Sequence, residues 1–327
     1  MQDRPTLRQQ AAWSFATVSA LAAAGCAAIG WQWALLGGAV SAVLLLLRNC
    51  LRQDMPPRTA AREAFGRMGG MIAAASAVWN LAALARLTCE AGTAFPEAED
   101  PAAIGLITLA LAALASSRGD LVPARCAGVL ALVLGAAYAV LLLSGLRTVR
   151  LEWLRPGGSA HSAFVPCAML LLPGAAGWIG LRRGEGDEKG EAGTAAAAIL
   201  LLPAAAAAVT AGNLSPRLAA AEEEPFYEMV KGLTLLAAER FEPLASMTLL
   251  LGWFCAMCLL LSAACEALGV KDRRLICFLS AGAAGVGSFW AGWVPAAVWG
   301  IGAAIFWGIL PLLIPLVVDQ KKGGKKV

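Results

Sequence analysis

Long apolar runs are the feature of this sequence that most restricts its fold. A bilayer core about 30 Å thick is crossed by about 20 residues of α-helix, and ten stretches of the chain reach or approach that length. They lie near residues 9–29, 31–48, 68–88, 101–117, 124–146, 161–181, 193–212, 243–268, 273–290 and 294–318. Because the backbone finds no water in lipid, each stretch is predicted to be helical. The sequence therefore predicts an all-α, polytopic membrane protein with about ten transmembrane helices.

Composition agrees with one transmembrane domain covering residues 1–327. Of these residues 59% are hydrophobic and 15% are charged, whereas about 25% are charged in a typical soluble domain. Two joins between spans, at Gly30 and at residues 292–295, hold no charge and are flanked by tryptophans. Indole rings prefer the membrane interface, so tight hairpins are favoured there. One long tilted helix at each join is the alternative.

The distribution of Lys and Arg predicts the orientation. If the amino terminus is cytoplasmic, the segments on that side hold 19 basic residues and the outer segments hold 7. This matches the positive-inside rule and places both termini in the cytoplasm, with a basic tail at 319–327. A lipoprotein-type signal ending at Cys26 is an alternative for the first span. Ala23 stands where such signals usually have leucine, and another apolar run follows, which favours a retained span.

Glycine and proline interrupt two of the spans at corresponding places. The interrupting residues are Gly25, Gly30, Pro166, Pro173, Gly174 and Gly177. If the chain consists of a first repeat (9–146) and a second repeat (161–318), spans one and six are the first helices of the two halves. Transporters with inverted repeats break these helices, and the freed backbone groups bind substrate near the membrane midplane. Proline removes a helical hydrogen bond, so Pro173-Gly174 is predicted to be a break.

The polar segment 213–242 is predicted to lie on the outer face before span eight. After three glutamates and Pro225, apolar residues such as Phe226, Met229 and Val230 recur at helical spacing. This pattern indicates a short amphipathic helix. It either caps a central cavity or is an ordinary solvated helix in a loop.

Residues typical of catalysis or metal binding are sparse. His161 is the one histidine, and the nine cysteines lie in or beside apolar runs without a zinc-type spacing. Arg86 and Glu90, one turn apart near the end of span three, are expected to form an ion pair. We therefore expect no enzyme activity, no metal, no cofactor and no nucleic-acid partner, and a lipid bilayer as the surroundings.

Several stretches resemble the B-subunit family of bacterial spore germinant receptors (GerAB-like endospore germination permeases), which belong to the amino acid–polyamine–organocation superfamily. The clearest match covers residues 225–318. Residues 226–229 lead into 239–244, which is similar to the family's Glu-Arg-x-Asp/Glu signature before its eighth helix. Residues 268–272 resemble the family's cytoplasmic turn. Residues 65–69 resemble the Gly-Arg start of its third helix.

The resemblance implies a LeuT-type 5+5 inverted-repeat fold with helices one and six broken at a small-molecule site. It implies a subunit in the spore inner membrane, beside A-type and C-type receptor subunits, that senses a germinant such as an amino acid and helps trigger germination. The expected ligand-binding residues are Ala24, Gly25, Cys26, Trp79, Asn80, Pro173, Gly174, Ala175, Gly177 and Ser246. Glu239 and Arg240 are expected to have structural or gating roles. An amino-acid transporter of the same superfamily and a ligand-free structural subunit are the alternatives.

Overall fold

The computed structural model describes residues 5–51, 56–92, 95, 98–154, 160–179, 189–222, 224–233, 241–269, 272–291 and 294–323. The α-helices of this part are α1 (Leu7–Ala23), α2 (Trp31–Cys50), α3 (Pro57–Phe65), α4 (Arg67–Gly92), α5 (Pro101–Ser117), α6 (Leu121–Leu146), α7 (Ala160–Met169), α8 (Lys189–Leu214), α9 (Pro216–Ala221), α10 (Pro225–Lys231), α11 (Glu242–Leu268), α12 (Arg273–Ser288), α13 (Ala296–Ala303) and α14 (Leu310–Gly323). Short 3-10 segments lie at Cys26–Ala28, Leu151–Trp153 and Leu172–Trp178, and a π-helical segment, Ala304–Ile309, joins α13 to α14. We call Leu172–Trp178 the span-six 3-10 segment and Ala304–Ile309 the π segment.

Among the described residues, seven helical stretches are long and apolar enough to cross a membrane. These are Leu7–Ala28, Trp31–Cys50, Arg67–Gly92, Leu121–Leu146, Ala192–Leu214, Glu242–Leu268 and Ala296–Lys321. Two shorter apolar stretches, Pro101–Ser117 and Ser162–Trp178, accompany them. Large apolar side chains such as Val129 and Leu132 of α6 point out of the bundle, as hydrocarbon surroundings require. The prediction of an all-α integral membrane protein is confirmed.

Several helix ends follow from local sequence. Thr6 and Gln9 form a capping box that begins α1. The carboxylates of Asp100 and Asp272 accept backbone N–H bonds and begin α5 and α12. Gly269 ends α11 with φ near +60° and ψ near +40°, a left-handed conformation that favours glycine. These signals act within one turn, so the sequence alone locates these ends well.

Successive spans alternate in direction, which gathers their ends on two faces of the bundle. At one face the start of α1 meets the end of α2, where Arg48 Nη2 lies 3.3 Å from Gln10 Oε1. At the same face the Lys321 ammonium of α14 donates to the Ala64 carbonyl over 2.6 Å. We call this the terminal face. The turn at Gly30 lies on the other side, which we call the opposite face.

Helix α11 lies at the centre of the bundle and packs closely against α1 and α4. A Cβ on Gly252 of α11 would lie 2.7 Å from the Cβ of Ala20 in α1. A Cβ on Gly105 of α5 would similarly lie 2.1 Å from the Thr88 carbonyl oxygen of α4. Small residues at these positions let the helix axes approach, which is how apolar helices associate in membranes.

A partly buried ionic cluster joins four helix ends at the terminal face. Arg273, at the start of α12, pairs with Asp120 just before α6. Its guanidinium also donates to the Ser116 carbonyl (2.8 Å) and the Ser262 hydroxyl (3.1 Å), and lies 3.4 Å from the Glu266 carboxylate. The cluster fixes α5, α6, α11 and α12 relative to one another.

Neither the join at Gly30 nor the join at residues 292–295 lies within one long helix, which was the alternative to a hairpin. The first span ends its 3-10 turn at Ala28, and α2 begins at Trp31, so the tight hairpin at Gly30 is confirmed. At the second join α12 ends at Ser288 and α13 begins at Ala296, with 292–293 outside the described residues.

The sequence did not predict α3. It lies within the polar stretch 49–67 and buries Ala60, Ala61 and Ala64 against the bundle. A Cβ on Gly69 of α4 would lie 1.9 Å from the Ala61 carbonyl oxygen, so α3 and α4 are in backbone contact. Nine residues with several charges do not resemble a span, and the residues that α3 buries fully are all alanine.

Candidate functional site

The first span is interrupted where the glycines predicted it. α-Helical hydrogen bonding in α1 ends with the Gly25 N–H, which donates to the Leu21 carbonyl over 3.1 Å. The chain then forms the 3-10 turn Cys26–Ala28 and becomes extended at Ile29. A Cβ on Gly25 would lie 3.7 Å from the Cβ of Pro166 in α7. The break in span one therefore lies against the first half of span six.

The sixth span is interrupted as well. Helix α7 ends at Met169, and the span-six 3-10 segment follows with Pro173 in its first turn, so the predicted break is confirmed. A Cβ on Gly174 would lie only 1.9 Å from the Trp307 carbonyl oxygen, and one on Gly177 would lie 2.6 Å from the Pro311 Cβ. Gly174 therefore brings the broken half of span six against the backbone of the π segment, and Gly177 brings it against the Pro311 ring of α14.

On the terminal face, three residues hold α1, α2 and the broken half of span six together. The Ala176 carbonyl accepts a hydrogen bond from Gln10 Nε2 (3.0 Å) and another from Arg48 Nη2 (2.7 Å). The cavities beside this terminal-face cluster (Gln10, Arg48, Ala176) have volumes of about 10 and 20 Å³. Each is the size of a single water. In this conformation the cluster closes the second break toward the terminal face.

Replacing Arg48 by methionine is expected to lower the free energy of unfolding by about 1.5–3 kcal/mol, the usual loss for hydrogen bonds to a charged group. The Ala176 carbonyl and the Gln10 amide would lose their shared donor. Thermal unfolding in detergent would measure the effect. Arg67→Met, which removes an exposed arginine at the start of α4, is the control and should change stability by less than about 0.5 kcal/mol. Equal melting of the two variants would contradict the role given to Arg48.

On the opposite face, the predicted amphipathic helix is present as α10, and it covers the first break. Phe226, Met229 and Val230 are buried, and α9 and α10 both contact the Cys26–Ala28 turn. The Tyr138 ring of α6 lies 5.8 Å from the Phe226 ring, and its hydroxyl donates to the Ser19 carbonyl of α1. α10 thus packs its apolar face over the break.

A cluster of aromatic residues lies between α4 and the α13–π segment, beside the second break. The centroid of the Trp79 ring is 5.1 Å from that of Trp299, 5.7 Å from Phe306 and 5.8 Å from Trp307. Asn80 Oδ1 accepts a hydrogen bond from Trp307 Nε1 over 2.9 Å. We call Trp79, Trp299, Phe306 and Trp307 the aromatic cluster.

The structure distributes the predicted ligand-binding residues over three places. The first break contains Ala24, Gly25 and Cys26, and the span-six 3-10 segment contains Pro173, Gly174, Ala175 and Gly177. Trp79 and Asn80 belong to the region of the aromatic cluster, which adjoins the second break through Trp307. Ser246 lies elsewhere and lines an open cavity of about 690 Å³ with Tyr227 and Glu242. The predicted gating residues Glu239 and Arg240 lie outside the described residues.

Sequence reasoning missed the contribution of the last span. Phe306 and Trp307 follow Trp299 by seven and eight residues, about two helical turns, a spacing that places them on the same side of the helix as Trp299. That spacing could have suggested an aromatic face, but nothing local indicates that it meets Trp79. The predicted ion pair between Arg86 and Glu90 is confirmed at 2.6 Å, and the Arg86 guanidinium lies over the Trp299 ring.

Comparison with known proteins bears on the fold. No protein-family profile and no curated protein matches the sequence. Among solved structures, Mhp1, a nucleobase-cation-symport-1 family transporter in a closed conformation with bromovinylhydantoin bound, is similar with a TM-score of 0.61 and 17% sequence identity. The likeness covers 96% of this chain and 78% of that chain. The likeness shows the fold of this chain. That fold is similar to the LeuT-type fold expected from the sequence.

Proposed function

We propose that this protein binds a small solute between its interrupted first and sixth spans, in a bundle of ten spans arranged as two five-helix halves. One observation carries the proposal. In a chain with a transporter fold, the break at Gly25 lies against Pro166 of span six, and the second break at Gly174 lies against the π segment. Interrupted helices present unpaired backbone groups and the ends of helix dipoles, which hold the polar ends of a solute.

Both sides of the proposed site are closed in this conformation. The terminal-face cluster closes one side, and α10 with its buried Phe226 closes the other. A solute therefore reaches the breaks only after one of these contacts opens. Because binding is linked to that opening, a bound solute can change the conformation of other parts of the molecule or of a surface that contacts a partner.

We propose further that the protein senses the solute as the B-type subunit of a spore germinant receptor, with A-type and C-type subunits as partners. The resemblance of residues 225–318 and 65–69 to that family supports this role. Transport of a solute is the second candidate, which the similarity to a symporter favours. A structural subunit without a ligand is the third, which the water-sized cavity beside the second break favours.

Solute binding is tested on the full chain, purified and placed in lipid nanodiscs, by thermal shift against a panel of amino acids and planar heterocycles. A ligand at one hundred times its dissociation constant is expected to stabilise the protein by about 2.7 kcal/mol. Gly25→Val should abolish the shift, because the added methyl groups enter the contact with Pro166. Gly128→Val, at a position in α6 with open space around it, should keep it.

Three results separate the candidate roles. Germination of spores that lack the gene should fail for the solute that binds, and the wild-type gene but not the Gly25→Val variant should restore it. Uptake of that solute into proteoliposomes along an ion gradient would instead favour the transporter. If no solute on the panel shifts the melting temperature while A-type and C-type subunits still co-purify, the ligand-free structural role is correct and solute binding is refuted.

A further inference from the structure

We infer that the aromatic cluster, with Asn80 and Ser76 beside it, is a recognition site for a planar solute that carries hydrogen-bond acceptors. This inference rests on the proposed solute-binding function and names the chemical class of the solute. Four observations carry it: unsatisfied donors, their placement in one cluster, the π segment that contributes two of the rings, and the charges around the cluster.

Four polar groups in this region have no hydrogen-bond partner among the described residues. They are Trp79 Nε1, Trp299 Nε1, Asn80 Nδ2 and Ser76 Oγ. Their residues are 9%, 2%, 0% and 0% exposed, in that order. Folded proteins leave few buried polar groups unpaired, because such groups lose their hydrogen bonds to water without replacement. Four such groups in one region indicate that a molecule outside these residues, such as a bound solute, supplies their hydrogen-bond partners.

The four groups come from a continuous patch. Ser76, Trp79 and Asn80 are three and four residues apart on α4, so they share one face of the helix. The Trp299 ring packs 5.1 Å from Trp79, centroid to centroid. Since the Asn80 carbonyl oxygen is occupied by Trp307, only its N–H donors are free. The patch therefore offers three N–H-bearing groups and one hydroxyl.

The π segment supplies Phe306 and Trp307 and connects the cluster to the second break. The Phe306 carbonyl accepts a hydrogen bond from Trp178 of the span-six 3-10 segment over 3.1 Å. A Cβ on Gly302, one turn earlier, would lie 2.2 Å from the Trp79 ring, so the rings are tightly packed here. Single π-helical turns frequently mark functional sites.

The charges and rings around the patch select the class of solute. The Arg86 guanidinium lies 5.1 Å from the centroid of the Trp299 ring and pairs with Glu90, so the side toward the opposite face carries a neutralised ion pair. Unpaired N–H donors require acceptors such as carbonyl oxygens. Indole walls favour stacking of a flat ring. A small aliphatic amino acid has acceptors only on its carboxylate, brings an ammonium group that can only donate, and has no flat ring to stack on the indoles, so it fits this patch less well.

The test measures binding of 1,3-dimethyluracil, a planar ring with two carbonyl acceptors and no N–H donor, to the full chain in nanodiscs. Its non-planar 5,6-dihydro analogue and L-alanine are the comparison probes. We expect dimethyluracil to bind more tightly than either. Trp79→Phe and Trp299→Phe keep a ring and delete one donor, so each should weaken binding about 3- to 10-fold.

Trp253→Phe is the matched control, because Trp253 is also buried and its indole N–H also has no partner in the described part of the chain, but it lies in α11 outside the cluster. Its affinity for dimethyluracil should equal that of the wild type. Asn80→Asp keeps the shape and the acceptor for Trp307 while removing the free N–H donors, and should weaken binding most. Ligand-free melting of each variant shows whether it is folded.

The outcomes separate this inference from the proposed function. If L-alanine or another amino acid binds and dimethyluracil does not, the inference is wrong and the solute-binding function stands. If dimethyluracil binds equally to the wild type, Trp79→Phe and Trp299→Phe, the site lies elsewhere and the inference is again wrong. If no probe or panel solute binds the folded wild type, both fail together.

Discussion

Replacing Arg273 by methionine is expected to lower the free energy of unfolding by about 3–5 kcal/mol. The reason is that the carboxylates paired with Arg273 are largely buried, so water cannot replace the guanidinium when it is removed. Arg273, Asp120 and Glu266 have side chains only 16%, 9% and 20% exposed. Removing one member of a buried ion pair leaves its partner charged and without compensation, which costs far more than an intact pair contributes. The Ser116 carbonyl and the Ser262 hydroxyl lose a donor as well.

Unfolding in a mixed-micelle SDS titration would measure this loss. Arg274→Met is the matched control, since it removes the same side chain from the next position, where the residue is exposed. Its stability should stay within about 0.5 kcal/mol of the wild type. The double variant Asp120→Asn with Arg273→Met should recover part of the loss, because the stranded carboxylate is gone. If Arg273→Met and Arg274→Met unfold together, the ionic cluster does not hold these four helices.

The second large effect is expected at the contact between span six and the π segment. Gly174→Ala should destabilise the protein by about 1–3 kcal/mol, the usual cost of inserting a methyl group into a packed contact. The new Cβ would lie 1.9 Å from the Trp307 carbonyl oxygen. This oxygen belongs to the backbone of the π segment, which cannot rotate away as a side chain can. Solute binding should fall as well, because the second break and the aromatic cluster meet at this contact.

Gly128→Ala provides a control of opposite sign. No atom lies within 4 Å of a Cβ at this position in α6, and alanine is favoured over glycine inside a helix by about 0.5–1 kcal/mol. The same substitution should therefore stabilise the protein at Gly128 and destabilise it at Gly174. Wild-type stability for Gly174→Ala would show that span six does not touch the π segment this closely.

The local features of the fold were predictable because their causes are local. Apolar runs of about 20 residues form helices in lipid whatever their neighbours are, and most of the predicted bounds agree with the helices observed. Pro173 and Gly25 interrupt their own helices by removing hydrogen bonds or favouring bends. The covering helix α10 was visible because its apolar residues repeat at helical spacing. The amphipathic α3 was missed, since its buried face consists of small residues.

The candidate site was predictable only in part. The residues of the two breaks were identified from glycine and proline, whereas the partners of each break were not. Trp79 and Asn80 were expected to face the breaks, and their actual neighbours are Trp299 and Trp307 on the last span. Ser246 was expected to join them, but it lines the open cavity beside Glu242.

By itself, the sequence determined three things: that this chain lies in a membrane, at which residues most of its spans begin and end, and at which residues two of the spans are interrupted. Hydrocarbon, helix caps, glycine and proline act over a few residues, so their effects can be seen in the order of the amino acids. Only the tertiary structure decided which helix faces meet. The hydrogen bond between Asn80 and Trp307 joins residues 227 positions apart, and that pairing depends on how close glycines allow whole helices to pack, which no local pattern contains.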